Sequence, residues 1–247
     1  SIFEGIRAYW NSRNLHVFRL KDHVKRFRNS GKFYNIKLNF SDRQIENAVI
    51  DLCKKNKIRK SCYIRPFYFV GQYGINFHVT QKAPTHTAIF AFPFGDLFNK
   101  SGITATISKW RKFSDMSTPT QAKMGGNYLN SILATQDAKQ RGFDEAILLD
   151  QSGNVSEAPG ENIFLVKNNM LVTPSLSSSA LDGITRRSII TLAKDMKLKI
   201  KTQKVSKKEL KMADEIFLSG TAAEITPVIK IDKKKIGEGK VGNITKL

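Results

Sequence analysis

Apolar positions in the first part of the chain follow two periods, one typical of strands and one typical of helices. The strand-like runs are Ile2–Trp10, Leu15–Arg19, Tyr63–Gly71 and Thr87–Phe94. Three- and four-residue spacing predicts a helix over Asp22–Tyr34, with Leu20, Val24, Phe27 and Gly31 near one face. A second helix is predicted after Ser41, because Ser41 and Gln44 form a capping box. We therefore predict an α+β domain over residues 1–95.

The second part of the chain begins after a connection at residues 96–102 that mixes glycine with polar residues. The strands predicted beyond it are Ile103–Lys109, Ala146–Leu149, Asn162–Val166, Met170–Thr173 and one within Phe217–Ala223. Helices are predicted at Gly125–Arg141 and Thr185–Met196. The first is expected to be amphipathic, with Leu129, Ile132 and Leu133 on one side and Gly142 as its C′ residue. We assign residues 103–247 to a second, larger domain.

Composition narrows the class of protein. The chain has 247 residues, 40% of them hydrophobic and 25% charged, which is typical of a globular protein with a core. No apolar run reaches the ~20 residues of a membrane helix, and the start is no signal peptide, so we expect a cytoplasmic protein without a membrane partner. Cys53 and Cys62 fit no redox or zinc pattern, and the four histidines form no metal-ligand motif, so we expect reduced thiols and no metal.

The net charge of +20, from 41 basic and 21 acidic residues, raises the alternative of a nucleic-acid-binding module. Binding of that kind would weaken steeply with salt through counterion release. The basic residues are dispersed, however, and two of the densest stretches interleave lysines with apolar residues, as in a solvated strand or helix. No zinc-finger or RNP motif is present. We therefore predict a solvated basic surface and no nucleic-acid partner.

Lys123 is the first candidate for chemistry, because it is the only Asp, Glu, Lys or Arg between Met116 and Gln136. Burial favours the neutral amine, which is the nucleophile that a Schiff base requires. Lys82 and Lys167 are also isolated charges, but both lie beside turn signals, where exposure explains them. Isolation alone leaves a surface role for Lys123 open.

Three further features are weak separately. The segment Leu181–Arg186 precedes a helix, and a helix N-terminus binds phosphate through its backbone N–H groups. Arg65 lies on an apolar strand face, where it is either in a buried salt bridge or binds a carboxylate. Glu157 lies in a Gly/Pro-rich connection, where a carboxylate is ordinarily exposed. Together they supply the amine, phosphate cradle, carboxylate and arginine that pyridoxal phosphate requires.

Six stretches of the sequence resemble the class IV (fold-type IV) pyridoxal-phosphate enzymes, and among them the branched-chain amino-acid aminotransferases. They are Phe3–Tyr9, Tyr63–Pro66, Ala122–Tyr128, Glu157–Phe164, Gly183–Arg186 and Ser219–Val228, and they span nearly the whole chain in order. The resemblance implies two α+β domains, the second with a barrel-like β core flanked by helices, and the cofactor between them. It also implies transamination of leucine, isoleucine or valine with 2-oxoglutarate. D-amino-acid transaminases and aminodeoxychorismate lyases are the alternatives within the fold.

The resemblance also implies residue roles. Lys123 would form the internal aldimine and shuttle the proton, Glu157 would pair with the pyridinium nitrogen, and Tyr128 would bond the phenolate oxygen. The phosphate would be held by Arg26, the backbone of Ile184 and Thr185, and Thr221, with Leu181 against the ring. The substrate residues would be Phe3, Gly5, Tyr63, Phe94 and Trp110 at the pocket, Gly220 and Ala222 in the loop Gly220–Ala222 at the α-carboxylate, and Arg65 at the distal carboxylate.

Partners follow from the same resemblance. We expect amino acids and 2-oxo acids as small-molecule partners, and a homodimer or homohexamer in which the loop Gln72–Phe77 closes a neighbour's pocket. Relatives continue beyond both ends, so we expect the sequence to be incomplete. A relic that has lost its cofactor is a further alternative, which the retention of Lys123, Glu157, Arg26 and Thr185 together disfavours.

Overall fold

A computed structural model describes residues 1–75, 77–80 and 82–247. By its internal contacts the chain divides into unit 1, residues 1–95 and 122–126, and unit 2, residues 96–121 and 127–247. Both units combine strands with helices, so the predicted α+β class is confirmed. The domain boundaries at residues 95 and 103 stay predictions. The division by contacts differs from them in giving the short segment Ala122–Gly126 to unit 1.

Unit 1 contains, among the described residues, one five-stranded antiparallel sheet and two helices. The strands are β1 (Ile2–Phe3), β2 (Ile6–Trp10), β3 (Leu15–Val17), β4 (Cys62–Val70) and β5 (Thr85–Pro93). The helices are α1 (Leu20–Lys32) and α2 (Asp42–Lys55). β1, β2 and β5 all pair with β4, which is the central strand of the sheet. The predicted strand Ile2–Trp10 is thus interrupted at Glu4 and Gly5, where the Glu4 N–H donates to the carbonyl of Pro66.

The core of unit 1 forms where α1 lies on the sheet. Val24, Phe27 and Gly31 are buried along the predicted face of α1. The ring of Tyr68 on β4 meets Phe27 edge-on with centroids 4.8 Å apart, a favoured aromatic geometry. A Cβ on Gly31 would lie 1.8 Å from the Tyr68 hydroxyl oxygen, so glycine permits this close approach. The capping box of Ser41 and Gln44 is confirmed at the start of α2.

Unit 2 contains, within the described ranges, a curled eight-stranded sheet and shorter helices. Its strands are β6 (Ile103–Arg111), β7 (Glu145–Leu149), β8 (Asn162–Lys167), β9 (Met170–Pro174), β10 (Lys199–Gln203), β11 (Glu215–Gly220), β12 (Glu224–Ile231) and β13 (Lys234–Lys235). Its α-helices are α3 (Leu129–Gln140), α4 (Ile184–Asp195), α5 (Lys207–Lys211) and α6 (Asn243–Lys246), and a 3₁₀ turn at Gly125–Tyr128 precedes α3.

The order of strands in unit 2 is β10-β9-β8-β11-β12-β6-β7. β8, β11 and β12 pair antiparallel, whereas β6 pairs parallel with β12 and β7. Apolar side chains from both groups of strands, including Ile147, Ile163 and Leu218, form the main core. Burial of these apolar side chains is the dominant stabilising contribution to the sheet. The packed strands in turn hold the loops at their ends, and these loops carry the candidate residues described below.

Helix α3 corrects one prediction. Its buried side consists of Asn130, Ser131, Ala134 and Ala138, whereas the apolar Leu129, Ile132 and Leu133 are exposed. Small residues face β6 and β7 because the helix packs closely against the sheet. The expected amphipathic face was therefore wrong, although Gly142 follows the helix at φ 80° as predicted.

The described helices are all too short or too polar to cross a membrane. In the same part of the chain, no three His, Cys, Asp or Glu side chains group as a metal site would require. Cys53 and Cys62 are both free and buried.

We expect Gly5→Ala to destabilise the protein by about 1–3 kcal/mol, the usual cost of overpacking. A Cβ at Gly5 would lie 2.0 Å from the Tyr63 hydroxyl oxygen, and Tyr63 is itself buried. Gly95→Ala is the control, because a Cβ there meets no atom within 4 Å. Urea unfolding of both variants measures the difference, and equal midpoints would show that the contact relaxes without cost.

Candidate active site

Lys123 is held in unit 1 by its main chain. Its carbonyl accepts from the N–H of Phe3 at 3.1 Å, and its own N–H donates to the hydroxyl of Ser30 at 3.0 Å. Two residues on, the N–H of Gly125 donates to the carbonyl of Ser1 at 2.8 Å. The segment thus runs beside β1 as a short strand-like contact. These bonds fix the position from which the Lys123 side chain extends.

The side chain of Lys123 is half-buried beside an aromatic ring. Its Nζ lies 4.8 Å from the ring centroid of Phe3. The guanidinium carbon of Arg65 lies 4.9 Å from the same centroid and 5.3 Å from that of Tyr63. Phe3 therefore contacts both the candidate catalytic amine and the candidate carboxylate-binding arginine.

Arg65 has no acidic partner among the described residues. One of its terminal nitrogens donates to the Tyr63 hydroxyl at 2.9 Å, and its buried Nε has no hydrogen-bond partner. The buried salt bridge that the sequence left open is therefore not found in the described part of the chain. A buried donor without an acceptor costs free energy, which an anionic ligand would recover.

Tyr63 lies in an aromatic group on one face of β4 and β5. Its ring centroid is 5.6 Å from that of Phe94 and 5.7 Å from that of Phe92. Unit 1 therefore brings together three of the four predicted pocket aromatics, Phe3, Tyr63 and Phe94. The fourth, Trp110, belongs to unit 2, where it lies on β6 and is 40% exposed.

Arg26 on α1 is fixed by a fully buried carboxylate. Oε1 of Glu4 accepts from Nε of Arg26 at 2.6 Å and Oε2 accepts from Nη2 at 2.9 Å, a bidentate pair. Nδ1 of His23 lies 2.7 Å from Oε2 of the same carboxylate. Glu4 is 0% and His23 1% exposed. The orientation of the candidate phosphate-binding arginine is therefore set by a side chain that does not itself face solvent.

Burial and the neighbouring charges shift the pKa values of Glu4 and His23. Burial would raise the pKa of Glu4, but the charge and hydrogen bonds of Arg26, with help from His23, lower it to about 2. Burial lowers the pKa of His23, against the opposing hydrogen bond from Glu4. At neutral pH the cluster is thus a carboxylate, a neutral imidazole and a guanidinium.

Glu157 is buried in unit 2. The Gly/Pro-rich sequence around it would favour an exposed carboxylate, and the structure excludes that alternative. Glu157 is 5% exposed. Its Oε2 accepts from the Leu181 N–H at 2.9 Å and from the Asn162 amide at 3.0 Å. Its Oε1 lies 2.6 Å from Nζ of Lys112. Asn162 also donates to the Leu181 carbonyl at 2.8 Å, so one amide positions two of the predicted cofactor residues.

The candidate phosphate site is the start of α4. Gly183 is its N-cap and supplies no side-chain hydrogen bond, and Ile184 and Thr185 form the first turn. A Cβ on Gly183 would lie 2.0 Å from Oδ1 of Asn162, so only glycine lets the chain pass this closely. The helix start therefore presents main-chain donors and the positive end of its dipole, as anion sites do.

Strand register brings the remaining residues of unit 2 together. Ser219 on β11 is opposite Asn162 on β8, so the turn Gly220–Ala222 begins at the strand end that follows Glu157 in the chain. Thr226 closes this turn by donating to the carbonyl of Ala223 at 2.8 Å. Thr221 lies within the turn.

Tyr128 follows a residue that is anchored on both sides. The side-chain amide of Asn127 accepts from the Thr118 hydroxyl at 2.9 Å and donates to the Pro119 carbonyl at 3.1 Å. The ring centroid of Tyr128 lies 5.9 Å from Nζ of Lys112. Tyr128 and Glu157 are thus both close to one buried cation.

Each unit carries groups that suit pyridoxal phosphate. Unit 1 has an amine, Lys123, and a guanidinium, Arg26, and unit 2 has a buried carboxylate, a phenol and a helix start with a glycine N-cap. An amine can form an imine, a carboxylate can hold the proton on a pyridine nitrogen, and the helix start suits a phosphate. The residues present therefore fit this cofactor.

Comparisons with known proteins agree with this geometry. The family model described as "Amino-transferase class IV" matches residues 1–231. The branched-chain-amino-acid aminotransferase of Salmonella typhimurium is 43% identical, covering 100% of this chain and 81% of its own length. The crystal structure of the Escherichia coli branched-chain amino acid aminotransferase is similar with a TM-score of 0.96 and 42% identity, over 99% of this chain and 82% of that one.

A further solved relative carries the cofactor. The branched-chain amino acid aminotransferase from Thermobaculum terrenum, in its PLP-form (holo-form), has a TM-score of 0.93 and 35% identity, over 99% of this chain and 80% of that one. The fold, the residue set and these likenesses define the chain as a member of the class IV aminotransferases. Within that family it is a pyridoxal-phosphate-dependent transaminase of branched-chain amino acids.

Five of the supporting residues were not found by sequence reasoning: Glu4, His23, Ser30, Lys112 and Asn162. Glu4, Ser30, Lys112 and Asn162 each bond a residue that was found, and His23 bonds Glu4. His23 lies three positions before Arg26, and Asn162 lies within the quoted Glu157–Phe164 stretch, so weak local signals existed. Lys112 and Ser30 carried none, because their partners are distant in sequence.

We expect Glu4→Gln to remove a pH-dependent part of the stability of the protein. The pKa of Glu4 is lowered from 4.5 to about 2, so its stabilisation is complete above about pH 4.5 and is lost as the pH falls toward 2. That change amounts to roughly 3 kcal/mol, since one pKa unit is about 1.4 kcal/mol. Urea midpoints between pH 7 and 3 should fall less steeply in Glu4→Gln than in the parent.

Asp51→Asn is the matched control, because Asp51 is an exposed carboxylate on α2. It should keep the pH dependence of the parent. Parallel curves for Glu4→Gln and the parent would mean that the pair with Arg26 does not contribute as described.

Proposed function

We propose that this transaminase transfers the amino group of leucine, isoleucine or valine to 2-oxoglutarate, giving branched 2-oxo acids and L-glutamate, with Lys123 as the residue that holds the cofactor. The observation that carries the proposal is the position of Lys123. Its main chain is fixed at 3.0 Å to Ser30 and at 3.1 Å to Phe3, and its amine lies against an aromatic ring that also contacts Arg65. Family membership supports the same role.

When bound, pyridoxal phosphate supplies an electron sink that stabilises the carbanion left when the substrate Cα loses its proton. The amine of Lys123 would hold the cofactor at its carbonyl carbon, with loss of water, and once displaced by the substrate amine would take the proton from Cα as a general base. The same amine would then give that proton, as a general acid, to the former carbonyl carbon C4′ of the cofactor, and the second half of the reaction would reverse this transfer. The ring of Phe3, 4.8 Å from this amine, would cover one side of it.

Residues of unit 2 hold the rest of the cofactor in this proposal. Glu157 keeps the proton on the pyridine nitrogen, and its two hydrogen bonds, from Asn162 and Leu181, hold the carboxylate in place. Tyr128 bonds the phenolate oxygen, and Leu181 packs against the ring. The phosphate is bound by Ile184 and Thr185 at the start of α4, with Thr221 as a further donor.

Arg26 of unit 1 is a further candidate for the phosphate, because a guanidinium is a charged donor that suits it. Its bidentate pair with Glu4 orients the guanidinium and keeps it from rotating toward solvent. A preoriented arginine loses less side-chain entropy when it binds a phosphate. Arg26 is therefore proposed as the fourth phosphate ligand.

Substrate recognition has to accept an aliphatic side chain and a glutamate side chain. We assign the aliphatic contact to Phe3, Tyr63, Phe94 and Trp110, and Gly5 allows the hydroxyl of Tyr63 to approach the main chain. The turn Gly220–Ala222 binds the α-carboxylate through its N–H groups. Arg65, with its buried Nε unpartnered, binds the distal carboxylate of 2-oxoglutarate.

We also propose that the protein acts as a homodimer or homohexamer. The loop Gln72–Phe77 carries two fully exposed apolar residues, Ile75 and Phe77, which supports a contact with a neighbouring subunit. Asn76 of this loop lies outside the described residues. Sedimentation of the purified protein would test the oligomeric state.

We expect Lys123→Ala to lower transamination of leucine by more than about 1,000-fold, because no other group replaces the imine-forming amine. The visible band of bound pyridoxal phosphate should disappear, and the far-UV circular dichroism should stay unchanged. Lys82→Ala is the control, because Lys82 is an isolated and exposed lysine. Turnover of Lys123→Ala at the parent rate would end the assignment.

We expect Arg65→Ala to lower kcat/KM for 2-oxoglutarate by roughly 10- to 100-fold, the loss of a charged hydrogen bond. The value for leucine should change by less than about threefold, because leucine has no distal carboxylate. Arg43→Ala, at an exposed arginine of α2, is the control and should match the parent for both substrates. An equal loss for both substrates would mean that Arg65 supports the fold of the pocket and not the choice of substrate.

A further inference from the structure

A buried lysine beside the candidate cofactor carboxylate has no chemical role in the function proposed above. Lys112 follows β6, and its side chain is 8% exposed. Its Nζ lies 2.6 Å from Oε1 of Glu157 and 5.9 Å from the ring centroid of Tyr128. One ammonium therefore contacts the residue proposed for the pyridine nitrogen and faces the residue proposed for the phenolate oxygen.

The main chain holds Lys112 at both of its polar groups. Its N–H donates to the carbonyl of Leu149 at 2.8 Å, and its carbonyl accepts from the side chain of Gln151 at 2.8 Å. Leu149 is the last residue of β7, a fully buried strand. The position of the ammonium is thus set by the sheet and not by a free loop.

The charge state of this lysine follows from its neighbours. Burial would lower the pKa of Lys112, but attraction by the Glu157 carboxylate and by Tyr128 outweighs burial and raises it. The lysine is therefore a cation across the working pH range. A buried cation of this kind is tolerated only because its partner is charged and close.

A second cation close enough to influence Glu157, Arg186, makes its own contacts with other groups. Arg186 is buried on α4, and Glu157 contributes to its electrostatic environment. Its terminal nitrogens lie 3.6 Å from Asp182 and 3.2 Å from the carbonyl of Pro174. Lys112 is thus the cation that bonds Glu157 directly in the described part of the chain.

We propose that Lys112 is a positioning residue that sets the orientation of Glu157, and through Glu157 and Tyr128 the electrostatic environment of the cofactor ring. The inference rests on the proposed function, because it takes Glu157 and Tyr128 as the ring-binding residues. The ammonium occupies Oε1 of Glu157 while Asn162 and Leu181 donate to Oε2, so three donors fix the plane of the carboxylate. The ammonium also faces Tyr128, the residue proposed for the ring oxygen, and its positive charge would favour the deprotonated form of that oxygen and of groups conjugated to it.

The test compares Lys112→Met with Lys112→Arg in protein loaded with pyridoxal phosphate. Removing a cation near the ring should raise the midpoint of the pH titration of the visible band by about one pH unit, and should weaken cofactor binding about tenfold. Lys112→Arg keeps the charge and should restore both values to near those of the parent. Lys208→Met, at an exposed lysine of α5, controls for the loss of a charge elsewhere.

A double-variant cycle separates positioning from support of the fold. Lys112→Met leaves the buried Glu157 carboxylate without its cation, so the urea midpoint of the cofactor-free protein should fall, whereas Lys112→Met with Glu157→Gln should recover it. In the Glu157→Gln background, Lys112→Met should shift the band midpoint by much less than in the parent background. The cofactor-free measurement remains informative if the single variant binds no cofactor.

The outcomes separate this inference from the proposed function. A parent protein that shows no visible band with pyridoxal phosphate, or a Lys123→Ala variant that keeps it, would overturn the proposed function and this inference with it. A normal parent band with an unchanged midpoint in Lys112→Met would overturn this inference alone. So would equal effects of Lys112→Met in the two Glu157 backgrounds, or a failure of Lys112→Arg to restore the midpoint.

Discussion

The cost of burying a charge governs both units of this protein. Glu4 and Glu157 are carboxylates that solvent scarcely reaches, and each is paired with a cation at 2.6 Å and satisfied by further hydrogen bonds. An unpaired carboxylate in either position would cost several kcal/mol and would take up a proton instead. The partners of these two carboxylates therefore decide where the neighbouring chain can lie and which groups remain charged.

In each unit this constraint orients a residue of the proposed chemistry. Glu4 holds Arg26 for a phosphate, and the contacts of Glu157 hold its own carboxylate for a pyridine nitrogen. Orientation before binding is valuable because the entropy of ordering has then already been lost in folding. It also explains why supporting residues such as Asn162 are as firmly bonded as the residues they support.

Glycines permit the close approaches on which these arrangements depend. Gly183 lets Asn162 reach Glu157 and Leu181 at the start of α4, and Gly5 lets the Tyr63 hydroxyl approach the main chain of unit 1. At both positions a methyl group would lie 2.0 Å from a polar oxygen, far inside ordinary contact distance. In these regions the packing of side chains against a glycine therefore also determines where the functional groups lie.

Local patterns predicted most elements and several candidate residues. The capping box at Ser41, the buried face of α1 and the class of fold are determined over a few residues by hydrogen bonding and periodicity, so the sequence suffices for them. The packed face of α3 was wrong because apolar spacing does not reveal that close contact with a sheet selects Asn130, Ala134 and Ala138 over larger neighbours. The contact of Arg65 with the ring of Phe3 was equally invisible to local patterns, since Phe3 is far from it in the chain.

The sequence by itself determined the family, through six ordered motifs, and with it the cofactor and the class of reaction. Only the tertiary structure decided which groups surround those motifs. Ser30 bonds the main chain of Lys123, Glu4 and His23 surround Arg26, and Lys112 pairs with Glu157. The physical reason is that such pairings depend on strand register and on the free energy of burying charge, which join residues far apart in sequence and leave no periodic signal in it.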